Sequence, residues 1–271
     1  MKGHMTRNHL SDERLPVLRS LGGFLSWAAL AFAVSLTAAI YFCRSMAGGM
    51  EMPGDWTMSM VWMPMPDQTW LAAAAMVLLM WMAMMVAMML PPAIPMLLHF
   101  RRSWAENDNA GVFTMLVACG YFTLWLGLGI VVYAAGLLWA SAAMRWTVLS
   151  QATPLLGGGT LLLAGVIQFI RWKMDGLARC RDPYVCSAIG EGPRAWGAWG
   201  HGFRQGISCG ICCSGPMLAM LVLGVMNLYV MFGLAGVIAL EKSLARPRPV
   251  VHLTGILALA GGMGMIAKAL L

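Results

Sequence analysis

The chain has 271 residues, of which 60% are hydrophobic and 11% charged, with a formal net charge of +7. Soluble domains carry about 25% charged residues, so this composition cannot coat a globule in water, and a separate soluble domain is excluded. The basic residues lie between apolar segments, which argues against nucleic acid and for an orientation signal and an attraction to anionic lipid.

A bilayer core about 30 Å thick needs roughly 20 apolar residues per helical span. The apolar runs in chain order are Gly22–Phe42, Trp70–Leu90, Val112–Trp139, Leu155–Trp172, Gly206–Gly224, Leu228–Leu240 and Val251–Leu270. The expected fold is therefore all-α: a polytopic bundle of about seven spans, or six. It occupies residues 22–271 behind a cytoplasmic N-terminal segment 1–21. The first run is too long for the h-region of a signal peptide and reads as a retained span. The second is expected to continue past Pro91, Pro92 and Pro95 as a kinked or broken helix. Between residues 206 and 240 a single helix would be about 52 Å long, beyond the bilayer core, and Gly224 and Asn227 mark the expected break.

Charge supports that break. With seven spans and the N-terminus inside, Lys2, Arg7, Arg14, Arg19, Arg101, Arg102, Arg171, Lys173, Arg179, Arg181, Arg194, Arg204, Lys242, Arg246 and Arg248 all lie inside. Only Arg44, Arg145 and Lys268 lie outside. Fusing the two pieces would move Lys242, Arg246 and Arg248 outside, against the positive-inside rule. The expectation is a multi-pass protein of the inner (plasma) membrane, N-terminus in and C-terminus out, with the lipid bilayer as its first partner.

The external loop from Arg44 to Thr69 is dense in methionine: Met46, Met50, Met52, Met58, Met60, Met63 and Met65. Thioethers stay neutral and prefer soft ions such as Cu(I), so the pairs Met50/Met52, Met58/Met60 and Met63/Met65 are candidate copper-capturing ligands. The second span carries Met76, Met80, Met84 and Met88 at four-residue spacing. There the competing reading is packing, because Met is a flexible gap-filler. The internal loop from Lys173 to Gln205 is basic and contains Cys180, Cys186 and His201. His99 and His252 are predicted near the same interface, where either can complete a Cys-rich site or bind haem. Glu241 and Lys242 read as an interfacial ion pair.

The sharpest feature is Cys209-Gly210-Ile211-Cys212-Cys213 at the predicted start of the fifth span. On a helix these three thiols share one face. A helix N-terminus there would favour the thiolate, which is both ligand and nucleophile. Met217 and Met220 continue the face, giving a soft-ligand stripe suited to Cu(I). A lone buried Cys more often packs as a small hydrophobe. Three in five residues, with Cys180 and Cys186 in the facing loop, point to metal or redox chemistry in a reducing compartment. No phosphate-binding G-x-x-x-x-G-K-[ST] and no H-E-x-x-H zinc motif is present.

Trp81-Met82-Ala83-Met84-Met85-Val86-Ala87-Met88-Met89-Leu90-Pro91, Cys209-x-x-Cys212-Cys213, Gly224-Val225-Met226-Asn227-Leu228 and Glu241-Lys242 together resemble the signatures of a prokaryotic family. Its members are described as predicted metal-binding integral membrane proteins. The resemblance runs from about Gly48 to Pro247 and implies a helical membrane fold with affinity for metal. It also implies a Cys where Gly176 stands, so a site that needs that thiol is one ligand short unless Cys186 substitutes, and a Trp where Ser214 stands. The leading expectation is a Cu(I)-binding membrane protein in transport, delivery or sensing, with a metallochaperone or cuproenzyme as partner. The alternatives are a membrane thiol oxidoreductase using Cys209 and Cys212, and a structural subunit in which Cys and Met only pack.

Overall fold

The computed structural model describes residues 5–46, 48–54, 56–62, 69–104, 109–181, 195–244 and 246–271. They form eight α-helices and one hairpin: α1 (Met5–Ser45), β1 (Gly49–Met52), β2 (Trp56–Ser59), α2 (Trp70–Ser103), α3 (Ala110–Arg145), α4 (Thr147–Phe169), α5 (Arg171–Arg181), α6 (Ala195–Leu223), α7 (Leu228–Ser243) and α8 (Arg248–Leu270). Six helices are long and apolar enough to cross a membrane: α1 from Gly22 onward, α2, α3, α4, α6 and α8. The all-α membrane bundle expected from composition is the fold observed.

Several boundaries differ from the expected ones. Helix α1 extends back to Met5, whereas α2 continues past Pro91, Pro92 and Pro95 to Ser103 as expected, without a full break. Proline removes one backbone hydrogen bond and crowds the preceding turn. Neighbouring helices in a membrane bundle let such a helix continue. The basic stretch expected to be a loop is partly helical: α5 starts at Arg171, and α6 starts at Ala195, ahead of the expected Gly206.

The break at Gly224 is as expected. Gly224 has φ +106, a left-handed conformation that costs a residue without Cβ nothing. Asn227 then caps α7, its Oδ1 accepting from the backbone N–H of Tyr229 at 3.0 Å and Val230 at 3.3 Å. The 16 residues of α7 are about 24 Å long, short of a full span. Helix α7 doubles back along α6, so Lys242 returns to the end of the bundle where α5 lies.

Glycines set the closest helix crossings. A Cβ at Gly202 in α6 would collide with the Val117 carbonyl of α3, and one at Gly120 with the Trp199 carbonyl. Parallel helices α3 and α6 therefore meet backbone to backbone, the small-residue packing that membrane helices use. Gly158 and Gly165 of α4 do the same against Gly262 and Gly255 of α8. Gly202→Val is expected to force α3 and α6 apart and cost about 1–3 kcal/mol, the range for overpacking. Detergent-titrated unfolding beside Gly200→Ala, where a Cβ meets nothing within 4 Å, reads the difference.

Candidate metal centre

Helix α6 carries Cys209, Cys212 and Cys213 in its middle, fourteen residues or more past Ala195. The helix-end dipole expected at Cys209 is therefore absent from the site. Spacing of three and four residues still puts the thiols on one face. Cys209 Sγ and Cys213 Sγ are 3.9 Å apart, and Cys212 Sγ and Cys213 Sγ are 3.6 Å apart. All three sulfurs lie within 4.8 Å of one another, and each residue is 1% exposed. Cys212 also donates to the Cys209 carbonyl at 3.2 Å, which holds its side chain along the helix.

Positive charge reaches the cluster from α7. Lys242 Nζ donates to Cys209 Sγ at 2.9 Å, and the Tyr121 hydroxyl of α3 donates to the same sulfur at 3.0 Å. A thiolate at Cys209 carries a charge of −1. In an apolar interior that charge needs a partner. The Lys242 ammonium supplies it, in place of the helix dipole expected from the sequence.

Glu241, one residue before Lys242, points elsewhere. It pairs with Lys173 of α5 through both carboxylate oxygens, Nζ donating to Oε1 at 3.0 Å and lying 2.9 Å from Oε2. Thr254 of α8 adds a longer contact to Oε1 at 3.4 Å, and Gln168 Nε2 of α4 donates to Thr254 at 3.1 Å. Glu241 and Lys242 are thus not paired with each other, and Lys173 is a fully buried cation rather than a loop charge. The last turn of α7 holds α5 with one residue and the thiol cluster with the next.

Helix α5 brings the fourth sulfur. Cys180 packs against the core that holds Cys209 and Cys212, close enough to interact electrostatically with both thiols. The contact with Cys209 pushes the Cys180 thiol up to about 12. Cys180 is thus protonated at neutral pH, and an ion that binds it must displace the proton. Metal affinity through this thiol is expected to rise about tenfold per pH unit for each proton displaced, up to that pKa. Chelator competition across pH 6–8 (about two units) on wild type and Cys180→Ser measures the slope, which the variant should lower.

The site extends to Gly176. A Cβ there would lie 3.7 Å from Cys212 Cβ and 3.0 Å from Ile211 Cγ2, so α5 passes against the thiol-bearing turn of α6 at this point. Met220 is buried in the same core as the three thiols, and Met217 packs against it. His201 stacks on Phe100 at 5.8 Å and His252 on Phe169 at 5.5 Å, packing positions for both rings.

The methionine segment is a hairpin. Strands β1 and β2 pair antiparallel with Met50 opposite Met58 and Met52 opposite Trp56. Pro53 and Gly54 enter the turn, Gly54 at φ +106. Trp56 Nε1 donates to the Ser150 carbonyl at 2.9 Å, and Ser150 Oγ to the Pro53 carbonyl at 2.8 Å, which fixes the hairpin on α4. Met50 and Met52 share a face with Met58. Met58 is 2% exposed and packs with Met52 against Ala140 and Ala143 of α3, whereas Met50 is 42% exposed. Met58 is thus packed under the hairpin, not exposed as a loop methionine would be. Met60 opens a short 3-10 turn after β2. Met63, Met65 and Cys186 lie outside the described residues.

The roles of Tyr121 and Lys173 and the pairing of Lys242 with Cys209 go beyond what the sequence signals. An ionisable residue at a membrane helix end is a functional candidate by default, and that is the signal available for Lys242. No curated protein and no solved structure matches the chain. A family model with the description "PpoB2: Copper chaperone" matches residues 78–265, more than half of the chain. The match takes in Cys180, the thiol cluster, Tyr121, Lys173 and Lys242.

Proposed function

The chain belongs to the PpoB2 copper chaperone family, and on that basis we propose that it holds Cu(I) within the membrane and hands it to a partner protein. The ligands are Cys209, Cys212 and Cys213, joined by Cys180, with Met217 and Met220 as thioethers close by. The observation that carries this reading is the convergence of three buried thiols within 4.8 Å, beside a fixed ammonium. Soft thiolates select Cu(I) over hard cations, and Lys242 offsets the negative charge of the complex.

Burial also separates this reading from thiol exchange. Attack on a second protein's disulfide needs access to the sulfur, and each of the three thiols is 1% exposed. A single ion can enter where a protein disulfide cannot. In this proposal the protein sits in the inner membrane with the thiol end cytoplasmic, the orientation that keeps most Lys and Arg inside. The hairpin methionines Met50, Met52 and Met58, with Met60, Met63 and Met65, collect the ion on the other face. The receiving partner is a metallochaperone or a cuproenzyme.

The test is competition for Cu(I) between the detergent-purified protein and a Cu(I) chelator. Wild type should hold about one equivalent against the chelator, and Cys209→Ser/Cys212→Ser/Cys213→Ser should release it. Equal retention by both proteins would remove the thiol cluster from the function.

A further inference from the structure

The thiol cluster and the methionine hairpin lie far apart along α3. Tyr121 touches Cys209, whereas Ala143 packs under Met58. These α3 positions are 22 residues apart, about 33 Å at the helical rise. An ion collected at the hairpin therefore has a membrane thickness to travel before it meets a thiol.

The intervening core is lined with sulfur. Helix α2 runs from the hairpin end toward the thiol end, and along it Met76, Met80, Met84 and Met88 repeat every four residues on one face. Met80, Met84 and Met88 are buried and Met76 is half-buried near the start of the helix. Met84 and Met88 belong to the same contiguous core as Cys209, Cys212 and Cys213, together with Met220 of α6 and Met231 of α7. Helix α7 packs on both α2 and α6, which places Met231 between the other two methionine-bearing elements. At the far side Cys180 is only partly buried, so the sulfur series ends near the surface at α5.

Packing alone does not require this composition. A lipid-protected core is filled as well by Leu or Ile, which have better-defined rotamers than Met. The thioether is the neutral side chain that adds a soft donor without the desolvation cost of a charge.

We infer that the α2 methionines form a thioether relay that carries Cu(I) through the membrane between the hairpin and the thiol cluster, making the protein a conduit as well as a holder. This rests on the Cu(I) reading of the thiols. Each step along α2 exchanges one sulfur–copper bond for the next, and the ion stays Cu(I), so no oxidant or reductant is consumed. Only entry into the thiol cluster displaces protons, one from each protonated thiol that ligates the ion, and those thiols regain them when the ion leaves.

The full chain, reconstituted in liposomes holding a membrane-impermeant Cu(I) chelator, is supplied with Cu(I) and ascorbate outside. Wild type should fill the internal chelator. Met80→Leu/Met84→Leu/Met88→Leu conserves volume, and it should slow filling at least about tenfold while the thiol site keeps its Cu(I) affinity in detergent. Met115→Leu, at a lipid-facing position 63% exposed, should change neither. Unchanged filling in the triple variant overturns the relay. So does a wild type that binds Cu(I) at the thiols but fills no vesicles, and in that case the proposed function stands. A wild type that binds no Cu(I) overturns both. If the triple variant also loses the thiol site, the three single variants are compared, and unchanged filling in all of them overturns the relay.

Discussion

Glu241→Leu, with Lys173 left in place, is expected to destabilise the protein by about 3–5 kcal/mol, the cost of leaving one partner of a buried ion pair uncompensated. Lys173 is 0% exposed, and its ammonium reaches both oxygens of the carboxylate. The double variant Lys173→Met/Glu241→Leu should recover most of the loss, because apolar residues of similar volume often replace a buried pair at little cost. Titrated unfolding in mixed micelles on the four proteins of the cycle separates the pair from its surroundings. If Glu241→Leu unfolds like wild type, the pair does not hold α5 to α7.

Cys209→Ser is expected to weaken Cu(I) binding by more than about 100-fold, and Lys242→Met by about tenfold. The serine removes a soft donor and also leaves the Lys242 ammonium aimed at a hydroxyl. The methionine leaves every donor in place and removes only the compensating charge. Lys242→Arg should therefore bind closer to wild type than Lys242→Met does, while no change at position 242 should reach the loss of Cys209→Ser. Chelator competition reads all three, and equal losses for Cys209→Ser and Lys242→Met would assign Lys242 a structural role.

The long helices are legible in the sequence because apolar runs of about twenty residues match the thickness of a bilayer core. The break at Gly224–Asn227 is legible because a glycine followed by a capping Asn is a local signal. Contacts between distant partners leave no such mark. Lys173 and Glu241 are 68 residues apart, and nothing local to either says that they meet. Trp196 to Phe203 reads as a glycine-rich loop, since glycine is a poor helix former in water. Its glycines instead let α6 start early and pack on α3, a tertiary reason that outweighs propensity. The hairpin does leave a local trace, because Pro53-Gly54 between two short runs is a turn signal.

At the metal centre, spacing alone puts Cys209, Cys212 and Cys213 on one face, and the structure keeps that face. The helix-terminal dipole expected to favour their thiolates is not there, because α6 begins fourteen residues before Cys209. Tyr121 and Lys242 reach the sulfur from α3 and α7, and their convergence is a property of helix packing. Cys180 reaches the cluster because α5 folds back against α6 at Gly176.

Cu(I) ligation by the thiol cluster is tested most directly by X-ray absorption at the copper edge on Cu(I)-loaded protein, wild type beside Cys209→Ser/Cys212→Ser/Cys213→Ser. A first shell of sulfur alone is predicted in wild type, with loss of bound copper in the variant. A shell of nitrogen or oxygen, or a spectrum that the variant leaves unchanged, would contradict it.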